Sequence, residues 1–452
     1  MWIDLFRAQV DAHPEKIAIV AEGQKVTYAE LLRRAEARSQ QASAGSLRHI
    51  IVLEEPLAVL EEVIGAWLRQ RVPTLLHHGF PAAKLTYLQQ VLRDAERGGR
   101  NGGRGPGEMD SAERPERREG LILTTSATTS MPKLVVLPHE NIQMTAAVMG
   151  RHFALPGDTQ GLIAAPIALF NAMVGGSLAS LAQGWTLHLF RPNTPASVVL
   201  SHIRSHGVTL INTVTAFFRF FLRYWSGTPF PALRMLSAGG EALAWREIER
   251  LQAACPNGDV QINYGATEIG RVSNISTRDP RAREGAVGMP LAHHELHIEP
   301  IEGLPYGELL VRSPTAFLGY LQPDGSYSGL TEDGFFRTRD LFSIDAQGCL
   351  YFHGRVDGVV KVLGRMVNVR EVSRVLGRLP GVADAACRAV PDALTGHALT
   401  AQVVAENGVQ LDPRELRRAC AAELERHEIP GDISVVDRIS ETELGKRANI
   451  AQ

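Results

Sequence analysis

The first 275 or so residues alternate short runs of β-branched and other apolar residues with longer amphipathic stretches, and this alternation restricts the fold more than any other feature. Residues 17–20 and 49–55 are runs of the first kind, whereas residues 27–41 have the spacing of a helix. Further apolar runs are LILTT, TLHLF, VTLIN, LRMLSA and VQINYG. Strands that alternate with helices favour a predominantly parallel sheet with helices on its faces. The pattern therefore predicts an α/β fold.

The texture changes near residue 286, where short strands and tight turns follow one another. The segments HELHIEP, GELLVRS and LFSIDAQGCLYFHG are typical of an antiparallel sheet. Further strands and the helices VREVSRVLGRL and PRELRRACAAELERH come later, and 452 residues exceed what one hydrophobic core usually supports. We therefore expect two domains. Residues 1–356 would form a large N-terminal domain of α/β layers with a smaller antiparallel β portion, and residues 357–452 a small mobile C-terminal α+β domain.

Charge and cysteine content argue against several classes of protein. The formal net charge is -2, so no basic field would attract nucleic acid or an anionic membrane. The four cysteines are far apart and form no CxxC pair, which predicts neither a disulfide framework nor a zinc site. The first residues lack the basic start and apolar core of a secretory signal. We expect a cytoplasmic protein that acts on a small molecule and binds neither nucleic acid nor membranes.

Three segments allow a second interpretation. Residues 161–190 carry no Asp, Glu, Lys or Arg and could cross a bilayer, but prolines, glycines and polar residues interrupt them, which favours a buried strand, loop and helix. Residues 95–119 combine glycine and proline with dense mixed charge; we expect a mobile surface loop, with a nucleic-acid-binding arm as the alternative. The HHELH run at 293–297 lacks the HExxH spacing of a helical zinc site, so alternation along a strand explains it better.

The strongest local signal for chemistry is TTSATTSMPK, at residues 124–133. Backbone N–H groups and hydroxyls of such a turn can surround phosphates, and Lys133 adds a positive charge. The segment is not a Walker A loop, because GxxxxGK[ST] is absent. Taken alone, it is more typical of an ordinary Ser/Thr-rich loop between a strand and a helix.

Further motifs follow this one along the chain. INYGATE, at residues 262–268, offers Tyr264 as a flat face for a base and Glu268 as a carboxylate for a hard cation such as Mg²⁺. On its own it is equally typical of a strand end and turn. FRTRD, GRVDGVVKVLGR and ETELGKR come later in the chain, and each is weak by itself.

Taken in order, these motifs resemble those of the superfamily that contains acyl-CoA synthetases, peptide-synthetase adenylation domains and luciferases. TSATTSMPK is similar to the family's TSGTTGxPK, SAGGEAL to its GGEAL segment, and NYGATE to its YGxTE motif. Downstream, RTRDL is similar to TGDL, GRVDGVVKVLG to GRxDxxVKxxG, and TELGK to TxxGK. The resemblance covers nearly the whole chain, and six motifs in this order are highly specific.

The resemblance implies a ligase that uses ATP and Mg²⁺ to convert a carboxylic acid to an acyl-AMP, and then passes the acyl group to a pantetheine thiol of CoA or of a separate carrier protein. Lys446 would be the catalytic lysine, Thr267 would contact the α-phosphate, and Glu268 would bind Mg²⁺. Asp340 would hold the ribose hydroxyls with help from Arg355. The other residues implied to bind ATP are Thr125, Ser126, Thr128, Thr129, Ser130 and Lys133 in the phosphate loop, and Gly239, Gly240, Glu241, Asn263, Tyr264, Gly265 and Ala266 around the adenine.

The family pattern also implies a hinge at Asp357, about which the C-terminal domain would rotate between an adenylating and a thioester-forming orientation. Several positions depart from that pattern. Ala127 and Ser130 replace glycines of the phosphate loop, Arg339 replaces the glycine of TGD, and Met366 stands where GxR places an arginine. A residue other than glycine costs about 1 kcal/mol or more where φ must be positive. The motifs therefore support adenylation more firmly than thioester formation.

The acid is predicted from one absence in the family pattern. Amino-acid-activating relatives place an aspartate for the substrate ammonium in the segment matching residues 166–176, and this chain has no acidic residue there. Because an unpaired buried ammonium is costly, we expect an aryl or short aliphatic acid without an α-amino group. Its pocket would be formed by Phe170, Asn171, Phe217, Ala238 and Gly270. Two alternatives stay open: a catalytically weakened protein that binds a nucleotide or acyl ligand, and a free-standing amino-acid adenylation enzyme.

Overall fold

The structure is a computed structural model that describes residues 1–41, 47–76, 79–98, 119–125, 131–392 and 396–439. The α-helices in these residues are α1 (Trp2–Ala12), α2 (Tyr28–Gln41), α3 (Pro56–Leu68), α4 (Ala82–Gly98), α5 (His139–Phe153), α6 (Phe170–Ala172), α7 (Ala179–Ala182), α8 (Ala196–Ser205), α9 (Thr215–Tyr224), α10 (Trp245–Ala254), α11 (Val369–Arg378) and α12 (Pro413–Cys420).

The strands of the same residues, in chain order, are β1 (Ile17–Ala21), β2 (Gln24–Thr27), β3 (Arg48–Ile51), β4 (Val72–Leu75), β5 (Glu119–Thr124), β6 (Leu134–Pro138), β7 (Gln160–Ile163), β8 (Thr186–Leu189), β9 (Leu210–Val214), β10 (Met235–Gly239), β11 (Asp259–Ala266), β12 (Gly270–Ser276), β13 (Ala286–Pro290), β14 (Glu295–Pro300), β15 (Gly307–Arg312), β16 (Gly319–Leu321), β17 (Tyr327–Ser328), β18 (Phe336–Ile344), β19 (Leu350–Arg355), β20 (Val359–Val362), β21 (Arg365–Asn368), β22 (Val382–Asp392), β23 (Gly396–Ala405) and β24 (Asp432–Val435). Helices and strands alternate through the first part of the chain, so the predicted α/β class is confirmed.

The chain divides into two compact units. Unit 1 consists of residues 1–284, 288–295 and 312–336, and unit 2 of residues 285–287, 296–311 and 337–452. The domain boundary that the sequence places near Asp357 stays a prediction.

Unit 1 contains two sheets, and the first carries most of the site. Its strand order is β12-β11-β10-β9-β7-β8-β1-β2, and the strands from β11 to β1 in this order are parallel to their neighbours. The predicted parallel sheet is therefore confirmed. β12 pairs antiparallel with β11, so the short connection between them forms a hairpin. The register of β9 and β10 sets Ser237 opposite Asn212.

The second sheet of unit 1 has the order β17-β16-β6-β5-β4-β3. β5 and β6 are antiparallel, so the hydroxyl-rich segment 124–133 joins two strands of one hairpin. The expectation that a helix follows this segment directly is wrong. Residues 134–138, LVVLP, are all buried, and adjacent β-branched residues in a buried run favour a strand over a helix.

The charge-free segment 161–190 folds as the strand β7, a loop and a helical stretch, as predicted, and then as a second strand, β8, which was not part of that prediction. Its helical stretch consists of α6, the π-helix Met173–Leu178 and α7, and every residue of the π-helix is buried. π-Helices are rare and often occur at functional sites. In the part of the chain that the structure describes, no helix has both the length and the apolar character to cross a membrane.

Helix α1 supports this helical stretch from the side. The indole N–H of Trp2 donates to the carbonyl of Leu178, at the end of the π-helix, at 2.9 Å. Trp2 is fully buried and stacks on Phe6 with ring centroids 5.4 Å apart. A fully buried, hydrogen-bonded tryptophan contributes a large apolar area and fixes direction as well, so α1 anchors the segment that leads into the site.

Unit 2 contains the neighbouring strands β14, β15, β18 and β19, the hairpin β20–β21, and a sheet of β22, β23 and β24 that packs with α11 and α12. Asp412 caps α12, since its side chain accepts a hydrogen bond from the N–H of Arg414 at 2.8 Å. The expected helix over PRELRRACAAELERH is too long, because α12 ends at Cys420. The chain turns there, and both Leu424 and Ile429 then pack against the core of unit 2.

Candidate active site

The two ends of the predicted phosphate loop are hydrogen-bonded to each other. The N–H of Thr125 donates to the carbonyl of Lys133 at 3.1 Å, and the N–H of Lys133 donates to Thr125 Oγ1 at 3.1 Å. These bonds join the chain where β5 ends to the chain just before β6, so the predicted residues Thr125 and Lys133 lie at the two ends of the loop. The predicted phosphate-binding residues that lie outside the described part of the chain are Ser126, Thr128, Thr129 and Ser130.

Lys133 and Glu268 lie close to the same tyrosine. The Nζ of Lys133 is 4.3 Å from the ring centroid of Tyr320, and the Tyr320 hydroxyl donates to Glu268 Oε1 at 2.7 Å. Glu268 is buried, and its carbonyl accepts a hydrogen bond from the N–H of Phe317 at 2.6 Å. Two predicted residues that are far apart in sequence are thus linked through Tyr320, which the sequence analysis did not identify.

Thr267 lies in the tight turn that joins β11 to β12. The turn is closed by the N–H of Ile269, which donates to the carbonyl of Ala266 at 3.2 Å. The two strands approach closely at Gly265, where a Cβ would lie 2.3 Å from the carbonyl oxygen of Gly270. Glycine at this position therefore allows the short hairpin that presents Thr267.

The residues predicted to surround the adenine meet at the ends of β10 and β11. Asn263 Nδ2 donates to the carbonyl of Ala238 at 2.7 Å. A Cβ on Gly239 would lie 2.1 Å from Asn263 Oδ1, so only glycine leaves room for this amide. Tyr264 follows Asn263 and is half-buried, and Gly240 has a φ of +95°, which favours glycine.

Glu241, which the family pattern also assigns to the adenine slot, is held by an ion pair. Its Oε2 is 2.9 Å from Arg219 Nη1, on α9. Arg219 also donates to the carbonyl of Ala242 at 2.8 Å. The carboxylate and the loop after β10 are therefore both fastened to α9.

In unit 2, Asp340 and Arg355 face each other across β18 and β19. Arg355 Nη1 donates to Asp340 Oδ1 at 2.9 Å, and the Asp340 N–H donates to Thr338 Oγ1 at 3.1 Å. Asp340 is 8% exposed, whereas Arg355 is largely exposed and also pairs with Asp357 at 3.6 Å. The structure thus brings together the predicted ribose-binding aspartate, its arginine and the predicted hinge. Lys446 lies outside the described residues.

Three of the five residues expected to bind the acid are close together. A Cβ on Gly270 would lie 3.7 Å from Phe170 Cζ and 3.6 Å from Thr315 Oγ1. Asn171, next to Phe170, has a buried Nδ2 that finds no hydrogen-bond partner in the described part of the chain. A buried amide donor without a partner is unfavourable, so this group is available to a ligand.

Phe217 and Ala238, the other two expected pocket residues, belong to the hydrophobic core around β9, β10 and α9. They are 8% and 1% exposed, and the Phe217 ring lies 5.8 Å from that of Phe218. Most of their surface is therefore already covered by protein. Their predicted contact with the acid stays a prediction.

The structure adds a charged residue that the sequence analysis did not identify. Arg271 follows Gly270 on β12 and donates to Ser237 Oγ at 3.1 Å and to Asn212 Oδ1 at 3.4 Å. Burial lowers the pKa of Arg271 to about 9, so the guanidinium is still charged at neutral pH. One arginine within a strand pattern gives no sign of whether its side chain points inward or outward, and the sequence therefore offered no signal.

The histidines beside Arg271 do not add to its charge. His294 Nε2 is 2.8 Å from the Arg271 carbonyl oxygen, and burial lowers the pKa of His294 to about 4. Burial also lowers the pKa of His152, whose Nε2 is 2.6 Å from Gln261 Oε1. Both rings are neutral at pH 7, so Arg271 is the cation in this group of three.

The fold and these motifs define the class of protein. The chain belongs to the AMP-binding enzyme family: the family's sequence profile matches residues 43–321, and the profile of the AMP-binding enzyme C-terminal domain matches residues 371–446.

Curated relatives are CoA ligases and related adenylating enzymes. The sulfoacetate–CoA ligase of Cupriavidus necator is 27% identical over 72% of this chain and 65% of its own length. The salicylyl-CoA synthase/salicylate adenylyltransferase of a Streptomyces species is 29% identical over 72% of this chain and 61% of its own length. The aligned part of the chain thus spans less than two thirds of these two relatives.

Solved structures share the fold over nearly the whole chain. ATP-bound MatB from Rhodopseudomonas palustris has a TM-score of 0.84 at 23% identity, over 99% of this chain and 97% of that one. The o-succinylbenzoate CoA synthetase (MenE) from Bacillus subtilis, in complex with its acyl-adenylate intermediate, has a TM-score of 0.80 at 22% identity, over 98% and 96% of the two chains. These structures confirm the predicted fold class of a large N-terminal and a smaller C-terminal domain.

Proposed function

We propose that this protein uses ATP to convert a carboxylic acid to an acyl-AMP and then transfers the acyl group to the thiol of CoA. The observation that carries the proposal is the link of Lys133 and Glu268 through Tyr320, because it brings residues of two separate family motifs together. The chain's membership of the AMP-binding enzyme family supports it, as do relatives named as CoA ligases.

The proposed reaction has two steps. In the first, a carboxylate oxygen attacks the α-phosphorus of ATP, a bond forms between that oxygen and the phosphorus, and the bond from the phosphorus to pyrophosphate breaks. In the second, the thiol loses its proton to solvent, sulfur attacks the acyl carbon, and AMP leaves. Negative charge builds up in the transition states of both steps, so positively charged groups and N–H donors held in fixed positions stabilise these transition states.

The described residues can meet several demands of the first step. Lys133, at the base of the phosphate loop, supplies positive charge for departing pyrophosphate. Glu268 fits a magnesium site, since Mg²⁺ is usually held by one or two carboxylates together with phosphate oxygens. The bound cation would neutralise phosphate charge. Tyr320 orients Glu268 for that task through its hydrogen bond to Oε1.

Three further roles are proposed for side chains in motifs of the family. Thr267 would donate its hydroxyl to the α-phosphate, from the tip of the β11–β12 hairpin. Asp340, with one oxygen held by Arg355, would accept hydrogen bonds from the ribose hydroxyls. Lys446 would approach the attacking carboxylate and offset the repulsion between two anions.

We propose CoA as the acceptor because relatives are named for CoA thioesters. A separate carrier protein is the second candidate, since the GGEAL segment at residues 239–243 favours such systems. The proposed acid has no α-amino group. The segment 166–176 contains no carboxylate, and the buried cation Arg271 would repel an ammonium.

Substitution of Lys446 tests the catalytic assignment. The Lys446→Ala variant should lower carboxylate-dependent ATP–pyrophosphate exchange on the order of 100-fold or more, because one charge that stabilises the transition state is lost. ATP affinity and thermal unfolding should change little. Lys25→Ala, which removes an exposed lysine of β2, is the control and should retain full exchange. Exchange by Lys446→Ala at the level of this control would contradict the role given to Lys446.

A further inference from the structure

Arg271 is a buried cation whose charge is not balanced by any carboxylate in the described part of the chain. Its side chain is 8% exposed, and burial is the one influence that shifts its pKa. By contrast Arg48, which is buried to nearly the same degree, pairs with Glu119 at 2.7 Å. A buried charge is strongly unfavourable unless it is paired. Arg271 therefore needs an anion that the described residues do not supply.

The contacts of the Arg271 guanidinium hold it in place without neutralising it. Its Nη2 donates to Ser237 Oγ and Asn212 Oδ1, and its Cζ is 5.4 Å from the centroid of the Phe153 ring. These groups are all neutral. Nη1 is buried and has no hydrogen-bond partner in the described part of the chain. The guanidinium is thus oriented, and part of its donor capacity is left for another group.

A second unpaired donor belongs to the same region of the site. Asn171 Nδ2 is buried without a partner among the described residues. Asn212 connects it to Arg271: Asn212 Nδ2 donates to the Gly175 carbonyl at 2.9 Å, and a Cβ on Gly175 would lie 3.2 Å from Asn171 Oδ1. Two buried N–H groups on neighbouring segments therefore await an acceptor.

Packing next to the guanidinium is incomplete. Phe153 and Asn212, which both contact Arg271, also line a small cavity together with Gly175. Protein interiors are usually close-packed, so this cavity shows that packing around two of the residues that hold the guanidinium is incomplete.

We propose that Arg271 determines substrate specificity by binding a second anionic group of the acid, a carboxylate or a sulfonate, at the end opposite the carboxylate that is adenylated. This inference rests on the proposed function and adds to it the class of substrate: short acids with an anionic tail. A guanidinium suits that role because its planar fork can bind both oxygens of such a group at once. Asn171 donates to the same substrate between its two charged ends.

The test compares matched acids. Pyrophosphate release is measured with succinate against butyrate, malonate against propionate, and 4-carboxybenzoate against 4-methylbenzoate. The wild-type protein should prefer the diacid of at least one pair by about 30-fold or more in kcat/KM, the loss typical when one partner of a buried charge pair is removed. Arg271→Met should abolish this preference, because kcat/KM for the diacid should fall to the level of its matched monoacid. Arg271→Lys should retain part of it.

Arg48→Met serves as the control for removing a buried arginine. It should leave the diacid preference unchanged but lower the melting temperature, because the mostly buried Glu119 carboxylate loses its arginine partner. Arg271→Met should melt at or above the wild-type temperature without substrate, since it removes an unbalanced charge, and a diacid should no longer raise its melting temperature. If the wild-type protein had the same kcat/KM for both acids of every pair, and Arg271→Met did not change these values, the inference would be overturned and the proposed function would stand. If no acid supported pyrophosphate release or ATP–pyrophosphate exchange, the proposed function would be refuted, and this inference with it.

Discussion

Gly239 is required where it stands because the amide of Asn263 occupies the space that a side chain would fill. The Cβ of an alanine there would lie 2.1 Å from Asn263 Oδ1, well inside van der Waals contact. The same amide bonds to the carbonyl of Ala238, so the ends of β10 and β11 are locked together. Two motifs that the sequence offers separately are therefore one structural feature.

Arg339 shows the opposite case, a residue that occupies a position better suited to glycine. It replaces the glycine of the family's TGD motif and has a φ of +60°, in the left-handed region. Arg339→Gly should raise the free energy of unfolding by up to about 1 kcal/mol, because the strain outweighs the entropy that glycine gains in the unfolded chain. Urea denaturation measures the change. The backbone N–H of Arg339 donates to Glu308 Oε1 at 3.1 Å, and a glycine would keep this hydrogen bond.

Arg339→Ala is the matched control for this prediction. Alanine removes the exposed side chain and keeps the Cβ that causes the strain, so it should give no stabilisation. If the alanine variant were as stable as the glycine variant, the effect would come from the arginine side chain and not from backbone conformation.

The residues predicted from motifs and those identified only in the structure differ in one respect. Lys133, Glu268 and Asp340 lie in local motifs, and a motif can be read from neighbouring residues alone. Tyr320 and Arg271 are identified only by contacts with segments far away in the sequence, with Glu268 and with Ser237 on β10. Such contacts depend on strand register and on how the sheets pack together, which a single sequence does not specify.

At the scale of elements, β8 and α8 are joined by a histidine cluster outside the site. His188 Nδ1 is 2.8 Å from His202 Nε2, and the ring of His206 stacks on His202 with centroids 3.7 Å apart. Burial, together with the neighbouring imidazoles, lowers the pKa of His188 to about 3 and that of His202 to about 4. The folded protein therefore keeps both rings neutral under mildly acidic conditions.

This cluster should make unfolding sensitive to acid. Below the ordinary histidine pKa of about 6.5, the unfolded chain binds protons that the folded chain does not, so the free energy of unfolding falls as pH is lowered. The loss begins near pH 6.5 and levels off near pH 3 to 4, where the folded rings also become protonated. The measurement is the urea midpoint at pH 7, 5.5 and 4.5.

Replacement of a histidine isolates this contribution. His188→Gln should lose less stability than the wild type between pH 7 and 4.5, because one titrating group is gone. His13→Gln, at an exposed position after α1, is the control and should follow the wild type. The same acid sensitivity in His188→Gln and the wild type would assign the effect to other groups.

The elements themselves were largely predictable, and the errors have a common cause. Apolar runs such as LRMLSA and VQINYG became β10 and β11, since a buried parallel strand is nearly continuous in its apolar character. The strand β6 and the early end of α12 were not foreseen. Both depend on distant packing, with β6 pairing to β5 and β16, and Leu424 joining the core of unit 2.

For the whole molecule, we propose that the C-terminal domain changes its orientation about Asp357 between the two steps of the proposed reaction. Asp357 is exposed in the short 3₁₀ turn Val356–Gly358, and a side chain on Gly358 would meet nothing within 4 Å, so the turn is sterically open. Asp357→Pro should reduce thioester formation by at least about tenfold while part of the pyrophosphate exchange survives, because proline fixes φ near -65°. Comparison of CoA thioester formation with pyrophosphate exchange measures the two steps.

Asp357→Ala distinguishes backbone from side-chain effects. Alanine removes the 3.6 Å ion pair with Arg355 but leaves φ free, so both steps should continue. An equal loss of exchange and thioester formation in Asp357→Pro would contradict a mechanism with two orientations.

Activation of a carboxylic acid by ATP can be measured directly as acid-dependent ATP–pyrophosphate exchange. The assay uses aryl acids, aliphatic mono- and diacids, and amino acids, each with the full chain, ATP and Mg²⁺. We expect exchange that requires an acid and is fastest with an acid that lacks an α-amino group. Exchange fastest with an amino acid would instead support an amino-acid adenylation enzyme. Measurable ATP binding without exchange for any acid would contradict acid activation and identify a nucleotide-binding protein.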